Sequence, residues 1–192
     1  TTTAGITDGT VTVTGAGSQW KITGVYSNVP LAMGSTSRTS ELRILNGGSV
    51  GIDSTATNYL AADTRLGSAS SKAAITIDGA GSSFTTPYRL YIGEGANSTA
   101  SVTVSGGGQL NTGYAGIASG SDATDATADT VTVTGANSVW TIRDTLGSPS
   151  NALQGLTIGR DGKGVLTIAD GGLVRLDTSY PTVSIGGIAG ST

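Results

Sequence analysis

The 192-residue chain has no cysteine and no histidine, and only one methionine, one phenylalanine and two tryptophans. Without cysteine there is no disulfide and no thiolate metal site, so stability must come from backbone ladders and packing. Without histidine the commonest general base and transition-metal ligand is missing, and Ser-His catalysis is excluded. Charged residues make up 12% of the chain, about half the usual share, and the net charge is −3. That acidic balance argues against nucleic acid or an anionic membrane as partner. No segment is apolar enough to span a bilayer as a helix. No secretory signal pattern opens the chain, and Thr1-Thr-Thr reads as a mature region or an excised fragment. Helical periodicity is nearly absent.

What is present is glycine (31 residues), with many Thr, Ser and Ala. Val, Ile and Thr alternate regularly, so the composition is that of short strands and tight turns rather than disorder. A cysteine-free exported protein rich in Thr, Gly and Asn fits a bacterial surface better than an animal extracellular space.

A ten-residue phrase occurs three times. It reads Val11-Thr-Val-Thr-Gly-Ala-Gly-Ser-Gln-Trp20, Ile75-Thr-Ile-Asp-Gly-Ala-Gly-Ser-Ser-Phe84 and Val131-Thr-Val-Thr-Gly-Ala-Asn-Ser-Val-Trp140. A second phrase interleaves with it: Leu42-Arg-Ile-Leu-Asn-Gly-Gly-Ser-Val50, Val102-Thr-Val-Ser-Gly-Gly-Gly-Gln-Leu110 and Leu166-Thr-Ile-Ala-Asp-Gly-Gly-Leu-Val174. A third is shorter (Leu31-Ala-Met-Gly34, Leu90-Tyr-Ile-Gly93, Leu156-Thr-Ile-Gly159). A fourth, looser one closes each unit around Leu66, Ile117 and Ile185. Fixed-period self-similarity marks a repeat architecture. One unit is about 60 residues, giving units at approximately 10–72, 73–129 and 130–192.

Each phrase alternates with period 2 and then meets Gly, Asn or Asp, which marks a strand and a corner. If each unit divides into three turns of roughly 20 residues, the chain is an all-β parallel β-helix of nine to ten turns. At the ~4.8 Å strand spacing it is a rod roughly 45 Å long. A β-sandwich is the alternative all-β reading, but it does not require the same corner chemistry at a fixed period.

The interleaved phrases resemble the passenger regions of Gram-negative autotransporters (type V secretion), in particular large alphaproteobacterial ones. The best match is Leu156-Thr-Ile-Gly-Arg-Asp-Gly-Lys-Gly-Val-Leu-Thr-Ile-Ala-Asp-Gly-Gly-Leu-Val174. The resemblance covers nearly the whole chain. It implies a right-handed parallel β-helix, one segment of a larger passenger, exported through an outer-membrane translocator barrel. It implies display on the cell surface or release, commonly as an adhesin or other host-directed effector. The expected partner is a host-cell surface protein, extracellular matrix or glycan, bound by a monomer. The barrel's amphipathic strands are not in this sequence.

Chemistry is sparse. The richest charged stretch is Arg160, Asp161, Lys163, Asp170, Arg175 and Asp177. A paired-carboxylate enzyme would need such groups to converge on a cleft; solvated turn residues are the plainer reading. A Ser-Lys dyad would have to use Lys21, Lys72 or Lys163, and no nucleophile turn surrounds them. Asp122, Asp125 and Asp129 form an oxygen-rich cluster without the spacing of known calcium loops. No catalytic residue, metal or cofactor is expected. Trp20, Phe84 and Trp140 share one repeat position and read as core filling rather than a sugar platform. Tyr26, Tyr59, Tyr88, Tyr114 and Tyr180 lie near loops, where Tyr serves recognition. Units differ in length at 54–63, 119–129 and 144–154, and repeat insertions map to a binding face. The candidate contacts are therefore Tyr59, Asp122, Asp125, Asp129, Arg143 and Asp144. The alternatives are a carbohydrate-active or receptor-binding β-helix of tailspike type, a structural stalk, or a secreted ligand of a host receptor.

Overall fold

The computed structural model describes residues 4–23, 29–53, 63–68, 70–119, 127–144 and 155–186. They contain β-strands and no helix, arranged as a parallel β-solenoid with three sheets. The first sheet stacks β1 (Ala4–Ile6), β4 (Leu31–Met33), β7 (Thr64–Leu66), β10 (Leu90–Ile92), β13 (Ala115–Ile117), β16 (Leu156–Ile158) and β19 (Val183–Ile185). The second stacks β2 (Gly9–Thr14), β5 (Thr39–Leu45), β8 (Lys72–Asp78), β11 (Thr99–Ser105), β14 (Ala128–Thr134) and β17 (Lys163–Ala169). The third stacks β3 (Gln19–Thr23), β6 (Ser49–Asp53), β9 (Ser83–Thr86), β12 (Gln109–Thr112), β15 (Val139–Arg143) and β18 (Leu173–Asp177).

This corrects the turn count. From β2 to β17 the chain makes five complete circuits, not nine or ten. Register partners lie 27 residues apart between Lys72 and Thr99, and 35 apart between Ala128 and Lys163. A circuit is thus near 30 residues, and the 60-residue unit is two coils rather than three. The first and second phrases occupy the same place in successive coils: Val11 pairs with Leu42, Leu42 with Ile75, and Ile75 with Val102. The third and fourth phrases merge in the same way on the first sheet.

The physical reason lies in the corner between the second and third sheets. After β2, β8 and β14 it takes four residues, Gly-Ala-Gly-Ser or Gly-Ala-Asn-Ser; after β5, β11 and β17 it takes three. The two types interlock. The serine of the long corner accepts the N–H of a short-corner glycine in the coil before it, Gly47 to Ser82 Oγ and Gly107 to Ser138 Oγ, each at 3.0 Å. The last glycine of the short corner presses on the coil before it. A Cβ on Gly48 would lie 2.5 Å from the Val13 carbonyl oxygen, and one on Gly108 2.6 Å from that of Ile77. Both corner types place a left-handed residue at the bend, filled by glycine, Asn46, Asn137 or Asp170.

Inward residues form ladders along the axis, the arrangement that alternate positions of parallel strands dictate. Val13, Ile44, Ile77, Val104 and Val133 are all buried, as are Ile6, Met33, Leu66, Ile92, Ile117 and Ile158. On the third sheet large and small alternate in register: Trp20, Val50, Phe84, Leu110, Trp140, Val174. Phe84 and Trp140 are fully buried, and the Trp140 indole N–H donates to Thr112 Oγ1 at 3.1 Å. The aromatic phrase therefore fills the core, two coils apart. On the last coil the ladder reaches solvent, with Ile168 51% and Ile185 78% exposed.

Candidate functional site

Outward positions of the solenoid are mostly small and polar. On the first sheet the outward row runs Gly5, Ala32, Arg65, Tyr91, Gly116, Thr157 and Ser184. Parallel register sets Arg65 on β7 directly beside Tyr91 on β10, and Tyr91 beside Gly116 on β13. Around Arg65 and Tyr91 the face becomes a recess of about 270 Å³, lined also by Asp63, Arg89, Glu94, Ser119 and Arg160.

Asp63 and Arg89 each sit one residue before their strand, so the same stacking that pairs β7 with β10 brings them together. The Asp63 carboxylate is fully buried. It accepts Arg89 Nε at 2.6 Å and Nη2 at 2.8 Å, a bidentate fork, and Arg65 Nη2 at 3.1 Å. Arg65 Nη1 reaches Glu94 at 2.7 Å. Both guanidiniums lie over the Tyr91 ring, at 5.6 Å for Arg89 and 5.9 Å for Arg65. Tyr114 meets Tyr91 edge-on at 5.9 Å between centroids. Arg160 donates to Asp161 at 2.6 Å and to the Ser119 carbonyl at 2.8 Å. Gly116 makes room for Ser119, because a Cβ there would meet Ser119 Oγ at 2.3 Å.

The electrostatics follow from this crowding. Burial raises the Glu94 carboxyl above its ordinary value, with Arg65 pulling the other way. Burial also raises the Tyr91 phenol, which stays neutral. Desolvation pulls the Arg65 guanidinium down, but Glu94 and Asp63 together outweigh it and the net shift is upward. The hydrogen bond to Asp161 raises Arg160. Two buried polar atoms of the recess have no hydrogen-bond partner, Arg65 Nε and Ser119 Oγ.

Of the residues expected from sequence, Tyr59, Asp122 and Asp125 lie outside the described residues, as does Tyr26. Asp129 was expected in a surface loop and instead lies in β14, 3% exposed. Its Oδ1 accepts the Ala100 N–H at 2.7 Å, and its carboxylate occupies the space a side chain on Gly93 would need. Arg143 and Asp144 are exposed at the end of β15. They line a second recess of about 230 Å³ with Thr85, Pro87 and Asn111 on the third sheet's face. There Arg143 lies 3.9 Å from Asp177, and Asp144 accepts the Ser179 N–H at 2.9 Å and hydroxyl at 2.7 Å. Tyr88 and Tyr114 are buried rather than displayed. The charged stretch 160–177 is spread over separate places: Arg160 and Asp161 follow β16, Asp170 takes a corner, and Arg175 and Asp177 lie on β18.

Sequence reading did not single out Arg65, Arg89 or Tyr91. The available signal was the middle position of the short strand phrase, small or polar in Leu31-Ala-Met and Leu156-Thr-Ile but Arg in Thr64-Arg-Leu and Tyr in Leu90-Tyr-Ile.

No protein-family model matches the chain, and no curated protein matches it in sequence. Among solved structures, the chain is similar to the crystal structure of a TibC-catalysed hyper-glycosylated TibA fragment. The identity is 14%, over 95% of this chain and 80% of that one, with a TM-score of 0.13. A likeness at that level carries no argument.

Proposed function

We propose that the chain is a segment of an autotransporter passenger with that family's right-handed coil. In this reading it is displayed at the bacterial cell surface or released from it, and binds a host-cell surface protein, matrix component or glycan as a monomer. The phrases that resemble such passengers support the family, and the continuous solenoid supports the rod. The observation that carries the binding role is the recess on the first sheet. A stalk needs only the small outward residues seen elsewhere in that row. Here the row is interrupted by a buried ion-pair network, an aromatic ring and two partnerless polar atoms.

The reading is non-catalytic and takes no cofactor. Asp63 accepts three N–H bonds from arginine and Glu94 another, so neither carboxylate is poised as a free acid or base. The test is adhesion of host epithelial cells to immobilised protein. Binding should fall at least tenfold for the Arg65→Ala, Tyr91→Ala double variant and hold for Arg43→Ala on the second sheet. Equal adhesion by all three proteins, or none by the unaltered chain, refutes the proposal.

A further inference from the structure

Resting on that binding reading, we propose that the recess around Tyr91 is a subsite for one neutral pyranose unit of a glycan. Three features of the recess select this ligand class.

The first is unmet hydrogen bonding. Arg65 Nε and Ser119 Oγ are buried and have no partner, and Ser119 is 4% exposed. Buried polar groups are ordinarily satisfied, and each orphan costs about 1–3 kcal/mol. Both belong to side chains that line one recess, so a ligand's oxygens satisfy them once those side chains turn toward it. Arg65 Nε only donates, whereas a serine hydroxyl donates and accepts. The phenol of Tyr91, kept neutral by burial, adds a third polar group.

The second is charge. Arg65, Arg89 and Arg160 are balanced by Asp63, Glu94 and Asp161 through the ion pairs already described. A phosphate, sulfate or sialic acid carboxylate would need a cation released from one of these pairs and would face Glu94. A sugar hydroxyl needs neither. It accepts from Arg65 Nε and donates to the Glu94 carboxylate, which lines the recess.

The third is size. At about 270 Å³ the recess falls just below the range of sites for drug-sized ligands. It suits a single ring of a longer chain that runs on across the Ser and Thr face. Gly116 lets Ser119 take its place in the lining, since any side chain there would collide with Ser119.

The experiment titrates the full chain with labelled neutral oligosaccharides ending in galactose, glucose, mannose or N-acetylglucosamine, and with their sialylated and sulfated counterparts, followed by fluorescence polarisation and backbone NMR. The expected result is binding of at least one neutral probe, with shift changes at Tyr91, Gly116 and Ser119. Ser119→Ala and Arg65→Lys should each weaken that binding at least tenfold. Ser119→Ala leaves the ion pairs in place and removes an unsatisfied hydroxyl, so its circular dichroism should be unchanged and its melting temperature no lower than the unaltered protein's. Preference for the acidic probes, no binding of any probe, or neutral binding indifferent to Ser119→Ala would each overturn the inference. If cells adhere in a recess-dependent way while no sugar binds, the saccharide subsite fails and the adhesin reading stands. If sugar binds and cells do not adhere, the reverse holds.

Discussion

Replacing Asp63 by Ala should be among the most damaging single changes on the surface of the first sheet. The carboxylate has no exposed area, and Arg89, which forks onto it through two N–H groups, is 9% exposed. Removing one member of a buried pair strands the other, at a cost of about 3–5 kcal/mol. Water cannot compensate because so little of Arg89 reaches it. The exposed pair Arg38–Asp8 has a similar 3.0 Å contact but side chains 62% and 55% exposed, and Asp8→Ala should cost about 0–1 kcal/mol. Urea unfolding followed by circular dichroism compares the two. Since each coil of a solenoid touches only its neighbours, amide exchange should rise first in β7 and β10 rather than along the whole rod. The double variant Asp63→Ala, Arg89→Met should recover much of the loss, since it leaves no buried charge unpaired. If Asp63→Ala proves as mild as Asp8→Ala, or if the double variant is no better than the single, the buried-pair reasoning fails.

Three other outcomes follow from the same geometry. Gly108→Ala should cost about 1–3 kcal/mol by chemical denaturation, because the new methyl meets the Ile77 carbonyl; Gly51→Ala, with nothing within 4 Å, is the control that should be near neutral. Trp140→Ala should cost about 3–5 kcal/mol in the same assay through the cavity it leaves and the donor taken from Thr112; a loss under 1 kcal/mol would contradict its place in the core. Glu94, raised by burial, takes up protons on folding, so its contribution to stability is present at low pH and is lost as pH rises through the folded-state value. Glu94→Gln should remove that acid-side gain from the stability–pH curve, and a curve parallel to the unaltered protein's would refute the assignment.

The strands and their inward faces were legible because they rest on period-2 alternation, which any chain with one buried face must show. The circuit length was not. Four phrases suggested several structural positions, yet Val11 and Leu42 occupy one position in adjacent coils. Similarity within a phrase is stronger than similarity between phrases, and only backbone pairing shows that a Gly-Ala-Gly-Ser corner and an Asn-Gly-Gly corner are equivalent. The recess escaped for the same reason. Arg65 and Tyr91 are 26 residues apart and meet only if one circuit separates them. A period of 20 puts them out of register. Asp129 was misplaced because an acidic residue after a run of Asp, Thr and Ala reads as solvated, whereas its carboxylate serves as an internal acceptor for the backbone of the coil below.

The two-coil period itself solves a problem that parallel stacking creates. When every coil presents the same inward pattern, strands can pair with the wrong neighbour at little cost, because side-chain alternation distinguishes only odd from even shifts along a strand and says nothing about which coil is which. Alternating corner types supply that information. A coil slipped by one position sets a four-residue corner on a four-residue corner. The serine hydroxyl then finds no short-corner N–H, and the close approach that Gly48 and Gly108 permit meets a bulkier bend. The same slip sets tryptophan on phenylalanine, and valine on leucine, overfilling one layer and emptying the next. Slippage by two coils restores every match, but it must bring together segments twice as far apart in the chain and leave a whole coil unpaired. Interlocking corners and the aromatic–aliphatic ladder thus specify the nearest correct pairing by penalising the nearest wrong one, which is the pairing that carries Arg65 to Tyr91 and closes the recess.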